Sequence, residues 1–260
     1  MVILIIFILC IYFYIKQLLW KTKWVSKKKM LIFGHRGAPA YEKENTLVSF
    51  LKAIEQGADG IELDLQKSKD NHIIIHHDET LKDEVSKIKY NNFEKIQKIQ
   101  KKDPLNTIED IKEILSKIKI LNLEIKSSSI FNNNIEKDVI NFIEKNQITN
   151  KTIVSSFNPV VLYKLKKIKK DLMIGYLFTK EEVHWSLKTL FWAKLIKPDI
   201  LHVDIKFLNS KIMKWSYKKR IPVFVFTINK KEEYIYVKEL GVQGIFTDDP
   251  KKMKEIRQNN

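Results

Sequence analysis

Short apolar, β-branched runs recur along this chain, each followed by a segment of helical period, and that alternation narrows the fold more than any other feature. The runs fall at 30–34, 58–65, 120–125, 151–156, 172–177, 199–204, 222–226 and 244–247. The segment after the first run carries Leu47, Phe50, Leu51 and Ile54 at helical spacing, with Asn45 placed to cap it and Gly57 to stop it. Further helices are expected at 107–117, where Thr107 would cap, then at 135–145, 159–170, 181–196, 208–219, 230–240 and after Pro250. Alternating strands and helices mean a parallel sheet with helices outside it, and eight such units close into a barrel. That architecture usually takes about 250 residues, so one barrel uses nearly all of a 260-residue chain. A doubly wound open sheet is the alternative, but no G-x-G-x-x-G or P-loop supports it.

One apolar run does not fit the alternation. Ile73, Ile74 and Ile75 follow the second strand after a Lys69-Asp70-Asn71 turn. The connection is too short for a parallel crossover, so the two segments should form an antiparallel hairpin. A turn centred on Asp70 and Asn71 sets His77 opposite Asp64, about 5 Å away. Residues 82–102 are polar with little pattern and read as loop and irregular helix over the rim.

In such barrels the chemistry collects at the C-terminal ends of the strands. His35 and Arg36 follow the first strand, Glu62 and Asp64 end the second, Glu124 and Lys126 end the third. Ser155, Ser156 and Phe157 end the fourth, and Thr227, Ile228 and Asn229 follow the seventh. Glu62 and Asp64 lie one residue apart and share a strand face. Glu124 adds a third oxygen donor, and three carboxylates without cysteine suit a hard divalent cation, Mg²⁺ or Ca²⁺. Two histidines, an arginine and such a cation are what metal-assisted phosphodiester hydrolysis requires. Of the other histidines, His76 reads as a packing residue, His72 as solvated at the turn, and His184 and His202 as structural.

The pieces GHRG, ENT, GIELD, HDETL, LEIK, VSSF and GVQGIFTDDP, in that order, resemble the glycerophosphodiester phosphodiesterase family over residues 30–250. The resemblance implies a (β/α)8 TIM barrel of the PLC-like phosphodiesterase type. It implies His35 and His77 as the acid–base pair, and Arg36 and Lys126 as phosphate-binding groups. Glu62, Asp64 and Glu124 would be metal ligands, with Glu44 lining the site. The implied reaction splits a glycerophosphodiester into glycerol 3-phosphate and an alcohol, with attack either by water or first by the glycerol 2-hydroxyl. Where the family often has Pro before ENT, an Arg-Thr pair after HDETL and Trp before TxN, this chain has Lys43, Lys82-Asp83 and Phe226, changes that bear on headgroup selectivity. A lysophospholipase D acting on the same bond, and a non-catalytic headgroup-binding module, are the other readings.

Residues 1–15 carry no charged side chain. Extended through Lys16, snorkelling, to Trp20, the segment reaches about 30 Å as a helix, enough to span a bilayer. Nothing basic precedes it and no small-residue cleavage site follows, which argues against a signal peptide. A single N-terminal transmembrane helix at 1–20 is therefore expected, then a basic linker at 21–29 and the barrel domain at 30–260. Tyr12, Tyr14, Trp20 and Trp24 would sit near an interface. The formal net charge is +16, and Lys16, Lys21, Lys23, Lys27, Lys28 and Lys29 lie before Met30 with no acid among them. That cluster favours membrane lipid as a partner and places the domain on the cytoplasmic face. No nucleic-acid motif accompanies the charge. The only cysteine, Cys10, leaves the barrel without a disulfide.

Overall fold

Each of the eight expected runs is a strand, and the odd run is a ninth. The computed structural model describes residues 5, 6, 11, 20, 22, 24, 29–127, 134–179 and 191–259. The strands are β1 (Leu31–Gly34), β2 (Gly60–Lys67), β3 (Ile73–Ile75), β4 (Leu121–Ile125), β5 (Thr152–Ser156), β6 (Met173–Phe178), β7 (Ile200–Asp204), β8 (Val223–Phe226) and β9 (Gly244–Thr247). All but β3 pair in parallel, in the order β1-β9-β8-β7-β6-β5-β4-β2, and β1–β2 pairing closes the ring. This is the closed (β/α)8 barrel that the alternation demands.

Around it lie α1 (Leu47–Glu55), α2 (Phe93–Ile99), α3 (Ile135–Lys145), α4 (Pro159–Ile168), α5 (Phe191–Ile196), α6 (Ser210–Lys219), α7 (Lys231–Glu239) and α8 (Pro250–Gln258). The expected helix at 107–117 is a 3-10 helix over Asp110–Lys117, and Thr107 does not cap it but donates to Asp110 Oδ2 at 2.9 Å. The first part of the expected helix 181–196, His184 included, lies outside the described residues.

Two apolar layers hold the barrel. Outward-facing strand residues such as Ile32, Leu63, Leu123 and Val203 pack beneath the helices. Inward-facing Leu31, Phe33, Ile153, Ile200, Phe224 and Phe246 fill the floor of the barrel, its N-terminal end. Burying each such side chain contributes about 1.5–3 kcal/mol. The N-terminal segment joins this floor. Trp24 sits edge-on to Phe224 with ring centroids 5.1 Å apart, and its Nε1–H donates to Gln243 Oε1 at 3.2 Å. Thr22 Oγ1 donates to the Asp199 carbonyl at 2.6 Å, and Trp20 packs on Trp215 at 6.1 Å. Trp20 and Trp24, expected beside a membrane interface, thus lie against the barrel itself. The expected transmembrane helix at 1–20 falls almost wholly outside the described residues. Among the described residues no helix is long and apolar enough to cross a membrane.

The hairpin forms, with its register shifted by one residue from expectation. Leu65 pairs with Ile75 and Lys67 with Ile73, and His76 N–H donates to the Asp64 carbonyl at 3.1 Å. His76, not His77, therefore opposes Asp64. Asn71 at φ 73° tightens the turn by one residue relative to the symmetric loop. Leu65 uses its other edge for β4, and β1 pairs with β2 lower down. So β3 descends along the edge of β2 that β1 climbs, and the ends of β1 and β3 converge.

Candidate active site

The turn after β1 begins the site. Gly37 has φ 97°, and a Cβ there would lie 2.7 Å from Ser49 on α1, so only glycine fits. Arg36 itself is left-handed, at φ 54°. This sharp turn directs the Arg36 backbone N–H to Glu62 Oε2 at 2.8 Å. The guanidinium is held by Glu44, whose two oxygens are each 3.0 Å from Nη1, and by Asp64 Oδ2 at 3.2 Å from Nε. Glu44 thus stands behind Arg36 and is not among the residues lining the cavity. Burial opposes the charge on Arg36, but Asp64, Glu44 and Glu62 outweigh it and raise its pKa.

Asp64 and Glu124 are paired positions on adjacent parallel strands, with Glu62 one layer below. Oxygens of the three lie within 4.8 Å of one another, and the residues are only 2%, 1% and 6% exposed for Glu62, Asp64 and Glu124. Lys126 Nζ lies 2.6 Å from Glu124 Oε1 and 3.2 Å from Asp64 Oδ1. Burial would raise the Asp64 carboxyl, but Lys126 and Arg36 hold it well below the usual range. Glu62 goes the other way: burial, then repulsion from Asp64 and Glu124, raise it well above the usual range. Its Oε1 is buried without a hydrogen-bond partner among the described residues. A divalent cation satisfies both conditions, neutralising the crowded carboxylates and occupying that oxygen. The donor set, all carboxylate oxygen, fits a hard cation.

Of the three histidines that line the cavity, His35, His77 and His202, the first two are each backed by an aspartate. His35 Nδ1 is 2.8 Å from Asp248 Oδ1. Burial would raise the Asp248 carboxyl, yet its bond to His35 keeps it below the usual range. The ionised carboxylate can only accept, so Nδ1 carries the proton and Nε2 keeps the lone pair. His77 Nδ1 is likewise 2.8 Å from Asp78 Oδ1. Because the hairpin register favours His76, His77 gains the cavity only after the chain leaves β3. Gln66 gathers that bend: its Nε2 donates to the carbonyls of His76, His77 and Asp78 at 3.0, 3.2 and 2.6 Å. His76 turns aside, its Nε2 3.4 Å from the Thr80 carbonyl, as expected of a packing residue.

These groups converge on one cavity of about 410 Å³, lined by His35, Arg36, Glu62, His77, Glu124 and Lys126. Phe157, Leu177, Phe226 and Phe246 add apolar lining, among Asp204, Lys206, Thr227 and Glu233. Every residue expected at the site is therefore placed there or, for Glu44 and Asp64, directly behind its lining. Sequence reasoning missed three supports. Asn45 does not cap α1, a task taken by Thr46. Its side chain instead donates to Asp64 Oδ2 at 2.9 Å and accepts from the Asp64 N–H at 3.2 Å. Asp248 and Gln66 are the others. Asp248 had a signal, its place at the C-terminal end of the last strand. Gln66 had none beyond being polar in an apolar strand. His202, expected to be structural, is fully buried and stacked on Phe224, and burial lowers it to about 3, but it also borders the cavity.

The sequence profile of the Glycerophosphoryl diester phosphodiesterase family matches residues 35–252. A glycerophosphodiester phosphodiesterase of Caldanaerobacter subterraneus subsp. tengcongensis is 30% identical, over 85% of this chain and 95% of that one. A human lysophospholipase D is 24% identical over 92% of this chain and 88% of its own. The crystal structure of a Thermotoga maritima glycerophosphodiester phosphodiesterase superposes with a TM-score of 0.71 at 28% identity, covering 88% of this chain and 99% of that chain. With the profile spanning most of the barrel and the motif histidines and carboxylates assembled at one site, this chain belongs to the glycerophosphoryl diester phosphodiesterase family.

Proposed function

We propose that the protein hydrolyses glycerophosphodiesters to glycerol 3-phosphate and a free alcohol, using His35 and His77 as the acid–base pair and a divalent cation held by Glu62, Asp64 and Glu124. The observation that carries this reading is the placing of two aspartate-backed histidines beside a buried three-carboxylate cluster and two cations in a single cavity. Arg36 and Lys126 face the phosphate and offset its charge. The cation, when bound, would polarise the phosphate and draw charge from the oxygens around phosphorus. One histidine Nε2 removes the proton of the attacking water, or of the glycerol 2-hydroxyl, as the bond from phosphorus to the alcohol breaks, and the other gives that alcohol its proton; where the 2-hydroxyl attacks, water then opens the cyclic phosphate with the two roles exchanged. Asp248 and Asp78 fix the ring tautomers so that each Nδ1 is committed and each Nε2 is available.

Phe157, Leu177 and Phe226 in the lining, set among polar groups, support a substrate with a lightly polar portion beyond the phosphate. We also propose that residues 1–20 anchor the chain in a membrane with the barrel on the cytoplasmic side, supported by their apolar character and the lysines that follow. The test is to measure the purified full chain on glycerophosphocholine and lysophosphatidylcholine, with Mg²⁺, with Ca²⁺ and with excess EDTA. Hydrolysis of the soluble diester that EDTA abolishes is expected, with a loss of about 10²–10⁴-fold in His77→Ala. Activity on the lysolipid alone, or full activity in EDTA, would overturn the reading.

A further inference from the structure

The end of the barrel away from the catalytic cavity exposes its own set of basic and apolar side chains. The mouth mixes signs, its carboxylates standing among Arg36, Lys126 and Lys206, and the long excursion between β3 and β4 interleaves acids with bases. At the floor, the helices run out into exposed basic residues: Lys117 and Lys119 before β4, Lys167 at the end of α4, and Lys218 and Arg220 at the end of α6. Lysine in a last helical turn complements the helix dipole and needs no partner to explain it. The same ends, however, also expose large apolar side chains. Ile168 of α4 is 47% exposed, Leu195 of α5 43% and Tyr217 of α6 87%. The acids nearby are already engaged, Asp199 with Lys166 at 2.7 Å and Asp171 with Lys169 at 3.4 Å. Apolar tips among basic residues are what an interfacial lipid-binding surface requires: the apolar groups enter the headgroup boundary while the lysines meet anionic phosphates. The segment entering the barrel arrives on the same face, with Trp20 on Trp215 of α6 and Thr22 on the α5–β7 connection.

We propose that the floor of the barrel, at the ends of α4, α5 and α6, docks onto an anionic phospholipid bilayer and that the catalytic mouth faces the water. This shares with the proposed anchor only the placing of the chain at a membrane, and it goes beyond the hydrolytic reading. It has a consequence for substrate. A lysolipid would have to leave the bilayer to reach the mouth, whereas a water-soluble diester enters freely. The docking also gives the rest of the positive charge a site of action besides the residues before Met30.

The experiment uses the full chain with its single cysteine replaced, Cys10→Ser, and one new label site at a time. Tyr217→Cys reports the floor, and Val85→Cys, 80% exposed in the loop after His77, reports the mouth. Each labelled protein is reconstituted with vesicles of phosphatidylcholine and phosphatidylglycerol carrying a brominated-lipid quencher. The floor label is expected to be quenched severalfold more than the mouth label. Each basic residue at an anionic surface strengthens binding about fivefold. Neutralising Lys167→Gln, Lys218→Gln and Arg220→Gln together should therefore drop the floor signal to that of the mouth, and Lys167→Arg with Lys218→Arg should preserve it. Turnover of a soluble diester should be unchanged in all of them, so a failed hydrolysis assay and a failed docking assay are separable. Quenching of the mouth label, floor quenching indifferent to the triple substitution, or retention by an RNA oligonucleotide without vesicle proximity would overturn the proposal.

Discussion

At the scale of single residues, the site is a set of charges each made tolerable by a neighbour. Asp64 is almost fully buried yet stays ionised because Arg36, Lys126 and Asn45 surround it. Leaving one such buried charge unpartnered is costly, so Asn45→Ala should disturb Asp64 and hence cation affinity, lowering it about 10–100-fold in a metal titration. Asp248 acts through His35 and touches no reacting atom. Asp248→Asn can still hydrogen-bond Nδ1 but no longer dictates which nitrogen holds the proton. Turnover should fall with little change in KM, and by less than in His35→Ala. Steady-state kinetics on both variants check this, and an unchanged kcat in Asp248→Asn would refute the positioning role. The aspartate was visible in the sequence as part of GIFTDDP. Its partner was not, because β1 and β9 become neighbours only when the barrel closes.

At the scale of elements, the first and last parts of the barrel are clasped together by one acid. Asp59, between α1 and β2, accepts from the Ile32 N–H at 3.0 Å, pairs with Arg257 of α8, and lies 3.3 Å from Lys29. Burial would raise its pKa, but the Arg257 and Ile32 hydrogen bonds and the nearby cations lower it. The folded state therefore favours the ionised form. Its stabilisation is complete above the unfolded value of about 3.9 and is lost as pH falls through the lower folded value. Asp59→Asn should cost about 1.5–3 kcal/mol at neutral pH, the range for hydrogen bonds to charged groups. The difference from wild type should shrink as pH falls below the unfolded value of about 3.9 and through the lower folded value. Thermal melts across that range decide it, and a pH-independent difference would show that packing and not charge is responsible. The hairpin teaches the same lesson about elements. Its existence followed from a short connection between two β-branched runs, but its register depended on one left-handed residue, Asn71, and on how Gln66 captured the bend.

At the scale of the whole molecule, the mouth and the floor are separate working surfaces. Trp24 is part of the floor, packed on Phe224 and tied to Gln243. Trp24→Ala should lower stability by about 2 kcal/mol, as for a modest large-to-small core change, while leaving KM for a soluble diester unchanged because the cavity lies at the other end. Denaturant unfolding and kinetics on the same preparation test both halves, and a raised KM would mean that the two ends are coupled. By itself the sequence determined the eightfold alternation, the barrel, and the residues His35, Arg36, Glu62, Asp64, His77, Glu124 and Lys126. It could do so because period and strand end are local properties, set by a few consecutive side chains. Only the tertiary structure decided that His76 and not His77 opposes Asp64, that Asp248 and Asn45 brace the site, and that Trp24 lies on the barrel floor and Trp20 against α6. Those outcomes depend on register and on contacts between residues distant in the chain, which local pattern does not encode.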